Sequence, residues 1–136
     1  MCEKAGRDAA LHELGLLIKS LVSKGKEVTL VLSVPSSNEL DPRGWYERTF
    51  HGVCEVENQG RLKTTKFLEY YGEMLKSLAK VARDNGADVI DPMDSLTSDG
   101  FCVGENDDGP IRYNAAHLRS GFVREHVQYL DRTVRP

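Results

Sequence analysis

No run of this sequence approaches the roughly twenty consecutive apolar residues needed to span a bilayer. The first eight residues, Met1 to Asp8, also lack the basic start and apolar core of a secretory leader. Read alone, the chain is expected to be cytoplasmic and to make no membrane contact of its own. An excess of positive charge is lacking too: 18 Lys and Arg stand against 21 Asp and Glu, for a net charge of −3. Without that excess there is no electrostatic footprint for phosphate backbones, so no nucleic-acid partner is expected. Arg112, Arg119, Arg124, Arg132 and Arg135 do gather near the end of the chain and read as a solvated helix face. Cysteine is scarce, and Cys2, Cys54 and Cys102 form neither a disulfide framework nor a metal-ligand spacing. Glu105, Asp107 and Asp108 lack the alternating ligands and terminal Glu of a calcium loop. No metal and no cofactor is assigned. Repeats, low-complexity tracts and linkers are absent as well, so the 136 residues, 40% of them hydrophobic, read as one domain with a real core.

What is present is an alternation of helix and strand patterns. Leu11, Leu14, Leu17, Ile18, Leu21 and Val22 recur at helical spacing over 9–23, with Lys24-Gly25-Lys26 as the stop. The run Glu27 to Val34, rich in β-branched residues and closed by Pro35, predicts a strand buried on both faces of a parallel sheet. A second helix is predicted over 64–85 from Phe67, Tyr71, Met74, Leu75, Leu78 and Ala82, capped by Asn85-Gly86. A second parallel strand follows over 87–92. Between the first strand and this helix lie some 25 residues without clear periodicity, holding Trp45, Tyr46, Phe50 and His51, with a short helix expected over 44–50. Ligands bind beyond the carboxyl ends of strands in open α/β sheets, so this segment is expected to line an acceptor site. Asp99-Gly100 and Asp108-Gly109-Pro110 predict a small β-hairpin between 95 and 113. An amphipathic helix over 120–131 carries Val123, Val127 and Leu130 on its inner side.

The chemistry concentrates at Tyr113-Asn114-Ala115-Ala116-His117-Leu118-Arg119, just ahead of that last helix. A histidine there is well placed to serve as a base. Ser36 and Ser37 sit in turn chemistry after the first strand and read as turn residues. Cys102 has no motif that would activate it.

His117-Leu118-Arg119, Phe122-Val123-Arg124 and Tyr129-Leu130-Asp131 with Thr133 resemble the last block of SGNH-type (GDSL-like) esterases and acyltransferases. The nearest likeness is to the SGNH domain that follows the membrane-bound acyltransferase domain in bacterial enzymes acylating surface polysaccharides. Ser33-Val34-Pro35-Ser36-Ser37 and Glu39-Leu40-Asp41-Pro42-Arg43 share the resemblance, which therefore covers most of the chain. It implies the C-terminal part of a three-layer α/β/α, flavodoxin-like fold: a short parallel sheet and a small β-hairpin before the C-terminal helix. It implies His117 as general base, with Asn114 where the family has the Asp that orients the imidazole and Ala115 where a second acid is common. A neutral amide stabilises an imidazolium poorly and can favour the wrong tautomer. The resemblance also implies a cysteine pair in which Thr97 takes the place of Cys102's partner. Trp45, Tyr46 and Arg119 are the expected substrate contacts, and the partners would be an acyl donor and a polysaccharide acceptor. In the full enzyme this part would face the periplasm at the inner membrane.

The family's nucleophile lies in a Gly-Asp-Ser that this sequence lacks. The leading expectation is therefore the base-bearing portion of an acyltransferase or acyl-ester hydrolase, inactive by itself. A non-catalytic remnant, or an accessory glycan-binding module that keeps the fold, is the other. An unpaired edge beside the Val28–Val34 strand predicts dimerisation through that edge.

Overall fold

A computed structural model describes residues 2–56 and 60–133, with the side chains of residues 2–4 and 132 outside the description. Arg135 and the side chains of Cys2 and Arg132 therefore lie outside the described residues. In chain order the elements are α1 (Cys2–Ser23), β1 (Thr29–Val31), β2 (Tyr46–Thr49), β3 (Gly52–Glu55), β4 (Arg61–Lys63), α2 (Thr64–Asp84), β5 (Asp88–Ile90), α3 (Met93–Leu96), β6 (Thr97–Ser98), β7 (Phe101–Val103), β8 (Glu105–Asn106), β9 (Gly109–Pro110) and α4 (Ser120–His126). Short 3₁₀ turns occupy Asn38–Leu40, Pro42–Gly44 and Gln128–Thr133. The mixture is of the α/β class. The chain divides into two compact units: residues 1–33 with 71–92, and residues 34–70 with 93–136.

The first unit contains the predicted parallel pair. β1 and β5 run side by side with Thr29 opposite Asp88 and Val31 opposite Ile90. Its core is Ile18, Ala82 and Ala87, packed by Leu14, Val22, Val28, Leu30 and Val89. Small residues at the centre let the helices close up: the Gly15 Cα stands where a Cβ would come within 3.0 Å of Asn85 Nδ2. α2 ends where the sequence predicts, because Gly86 takes φ +88° and Ala87 N–H returns to the Ala82 carbonyl at 2.9 Å. β1 is shorter and more open than the sequence predicts, with Val31 42% exposed. Burial on both faces needs more cover than a two-stranded sheet supplies, and two strands are what the described residues provide.

The second unit is antiparallel. β4, β7 and β6 form a three-stranded sheet in that order. Its interior holds Leu40, Trp45, Leu62, Phe67, Leu96, Cys102 and Ile111, all buried. Trp45 lies against Gly60 and Gly104. A Cβ at Gly104 would fall 2.8 Å from both the Gly60 carbonyl oxygen and Trp45 Cζ2, so only glycine fits there. The predicted hairpin is present as β6–β7, closed by Asp99 at φ 51° and Gly100 at φ 80°, and β8–β9 forms another.

Two expectations are corrected here. The short helix over 44–50 is not found: a 3₁₀ turn at Pro42–Gly44 leads directly into β2, which pairs with β3 as a hairpin. All eight strand residues of that hairpin are exposed, and Phe50 at its turn is fully exposed. With neither face buried, no two-residue alternation is written into the sequence. The last helix stops at His126, where Val127 takes φ −91° and ψ 69°, and a 3₁₀ turn carries the chain onward. Val127 is buried there while Val123 is 38% exposed. Among the described residues no helix is long and apolar enough to cross a membrane.

Candidate functional site

The segment around His117 is a tight loop drawn shut by main-chain bonds within the second unit. Arg112 and Leu118 form an antiparallel bridge. Tyr113 N–H donates to the His117 carbonyl at 2.8 Å, and Arg119 N–H to the Ile111 carbonyl at 2.9 Å. Inside this loop the Asn114 side-chain oxygen collects three donors. Ala116 N–H reaches it at 3.0 Å, His117 N–H at 2.9 Å, and His117 Nδ1 stands 3.0 Å away. Such side-chain capture of following amides is what Asn does in turns.

The two backbone donors settle the chemistry of the third contact. An amide nitrogen could not accept from Ala116 and His117, so the atom facing the imidazole is the carbonyl oxygen of Asn114. In the neutral ring His117 Nδ1 then carries the proton and Nε2 keeps its lone pair. This is the tautomer a general base needs. The missing negative charge at position 114 remains a chemical difference from a carboxylate.

A carboxylate does reach the loop from elsewhere. Asp41 accepts from Arg43 N–H at 3.0 Å, and the Ala115 amide contributes weakly to the field at its carboxylate. Its oxygens also meet the Arg43 guanidinium, with Nη2 at 2.6 Å. The Arg43 guanidinium beside it holds the Asp41 carboxyl down at about 2. Two successive amides, those of Ala116 and His117, are bonded to the Asn114 side-chain oxygen. Sequence reasoning reads Asp41 only as turn chemistry. The Asp-Pro-Arg signature of a capped turn is visible, but its link to residue 115 is not local.

His117 is exposed and lines an open cavity of about 900 Å³ together with Tyr113, Arg119, Ser120, Phe122 and His126. Phe122 and His126 stack with ring centroids 5.0 Å apart. Arg119 is held at the cavity by its Nε–H, which donates to the Arg112 carbonyl at 3.1 Å. Among the described residues, Asn114 is the imidazole's hydrogen-bond partner, and no hydroxyl meets it. Ser120 shares the cavity. The Ser37 hydroxyl donates to Glu39, whose other oxygen pairs with Lys66. Lys66 beside it lowers the Glu39 carboxyl, which makes it a weak base for that serine.

The remaining predicted contacts fall elsewhere. Trp45, expected at an acceptor site, is 4% exposed and donates its Nε1–H to the Glu39 carbonyl at 3.2 Å, so its ring is engaged in packing. Tyr46 is 59% exposed on the β2–β3 hairpin. Thr97 and Cys102 are cross-strand partners between β6 and β7. Cys102 is fully buried and its thiol is pushed up by that burial, whereas Cys54 is exposed; both are free. No cluster of metal-ligating side chains occurs among the described residues. Arg112, expected on a solvated face, is instead completely buried.

Comparison with family models, with curated proteins and with solved structures finds no match to this chain.

Proposed function

We propose that this chain is the base-bearing, C-terminal portion of an SGNH-type O-acyltransferase or acyl-ester hydrolase acting on bacterial surface polysaccharide. His117 is the general base, Asn114 orients it, and the attacking serine comes from outside these 136 residues. The observation that carries the reading is the 3.0 Å contact of His117 Nδ1 with Asn114 Oδ1, which leaves Nε2 free at the edge of an open cavity. Nε2 takes the serine proton as the hydroxyl attacks the acyl carbonyl, then returns it to the departing oxygen. Asn114 supplies orientation and a dipole, so the imidazolium is held less well than beside a carboxylate. Arg119 offers donors to an acyl donor or sugar, and Tyr113 and Phe122 offer ring faces.

One observation favours the other reading, a non-catalytic remnant: Asn114 is already engaged by two backbone amides, which is sufficient reason for its presence in the turn. The two readings separate experimentally. The isolated chain is expected to hydrolyse p-nitrophenyl acetate at background rate, with or without Asn114→Asp, and to resist a fluorophosphonate probe. Labelling of one of its own serines would sink the proposal. In a longer reading frame that supplies Gly-Asp-Ser ahead of residue 1, His117→Ala should lower acyl transfer by about 10³-fold or more. An unchanged rate would leave the remnant.

A further inference from the structure

α1 is apolar on two sides. One side, with Leu14, Ile18 and Val22, packs into the core of the first unit against Ala82 and Ala87. The other carries Leu16, Leu17 and Leu21 at 49%, 57% and 36% exposure, with Ser20 exposed among them. A helix that serves one core needs a single apolar stripe. Three leucines gathered on its outer side form a patch rather than scattered surface residues. Two exposed charges frame that patch, Glu13 one turn before it and Lys24 one turn after. They stand about three turns apart, too far to pair along their own helix.

The patch is complementary to itself. Its residues run Glu13, Leu16, Leu17, Ser20, Leu21, Lys24. A second copy laid antiparallel, about a two-fold axis beside the Ile18–Lys19 peptide, sets Leu16 on Leu21, Leu17 on the small Ser20, and Glu13 on Lys24. Two-fold symmetry repeats each of these contacts, so both ends close with an acid on a base. A parallel pair would instead set Glu13 against Glu13 and Lys24 against Lys24, and would align the two helix dipoles.

We propose that this outer side of α1 binds a second copy of the chain, the two helices antiparallel and held in register by paired Glu13 and Lys24. The contact is one helix wide, which puts it among small, transient interfaces. The β1 edge takes no part in it, and it is independent of His117 and of the acyl-transfer reading.

The test is sedimentation velocity of the whole chain over about a hundredfold range of concentration, where a reversible monomer–dimer equilibrium is expected. Leu17→Glu should weaken association by about tenfold or more, since the contact would then bury a charge. Glu13→Lys and Lys24→Glu should each weaken it by about tenfold, because each sets like charges together at both ends. An equimolar mixture of these two variants restores both opposite-charge pairs and should form a heterodimer about as tight as the native dimer. All three substituted residues are exposed, so helical circular dichroism should stay native and separate a lost contact from a lost fold. A native chain that stays monomeric throughout would overturn the proposal. So would Leu17→Glu that associates like the native chain, a mixture that fails to pair, or a dimer broken by Val31→Lys on the β1 edge and not by Leu17→Glu.

Discussion

Replacing Asn114 by alanine removes one oxygen and with it three contacts, two from backbone amides and one from an imidazole. Asn114 is half-buried while Ala116 and His117 are exposed, so the released amides turn to water and no buried orphan remains. The loss per bond then falls at the lower end of the usual range, about 0.5 kcal/mol each, for a total of about 1–2 kcal/mol. With a urea slope of about 2 kcal/mol/M for a chain of this size, the midpoint should drop by about 0.5–1 M. Trp45 is the sole tryptophan, is buried and lies in the same unit, so its fluorescence reports the transition directly. A second readout separates orientation from stability. Long-range ¹H–¹⁵N correlation spectra should show the neutral imidazole of His117 protonated at Nδ1 in the native chain, and a shift toward Nε2–H in Asn114→Ala. A native ring protonated at Nε2, or a variant with unchanged nitrogen shifts, would refute the assignment of the amide oxygen to the ring.

Asp41 makes the same loop sensitive to acid. Its folded value of about 2 lies below the ordinary carboxylate value of about 3.9. Its contribution is therefore fully present above about pH 3.9 and is lost as the pH falls through about 2. Asp41→Asn should flatten that part of the acid unfolding curve, while identical curves would remove Asp41 from the account. Thr97→Cys should form a disulfide with Cys102, since the two positions face each other next to a two-residue turn, where Cα atoms stand about 4.5 Å apart. Closing so short a loop contributes about 2 kcal/mol. Losing the Thr97 Oγ1–Met93 carbonyl bond costs about 1 kcal/mol, leaving a small reductant-sensitive gain in Tm. A free-thiol count unchanged by oxidation would contradict the register.

The parts of the structure legible in the sequence are those in which one face is buried and a terminus is chemically marked. α2 shows both in part: Phe67, Leu75 and Ala82 of its apolar stripe are buried while Tyr71 and Met74 are exposed, and the glycine that follows takes the left-handed conformation. The β6–β7 turn is legible for the same reason, because Asp-Gly tolerates two positive φ angles. The pairing of Asn114 with His117 is local, and it is expected from the resemblance of this segment to the SGNH-type block. By contrast, β2–β3 buries neither face, and composition alone gave no sign of a strand. Arg112 and Asp41 escape for a different reason: what defines each is a contact, or the lack of one, with residues distant in sequence. Hydropathy assigns arginine to the surface, and nothing local to Arg112 says otherwise.

The order of residues within the two units has a consequence for synthesis on the ribosome. The first unit combines residues 1–33 with 71–92, so β1 emerges long before its partner β5 exists. Its two segments must wait across a gap that already contains β2 to β4. Closing a loop of that length carries an entropic cost that rises only slowly with the number of residues. The waiting time is the larger exposure, because a nascent β1 edge stays open to other chains meanwhile. Slowing translation between codons 34 and 88 should therefore lower soluble yield more than slowing it after codon 92.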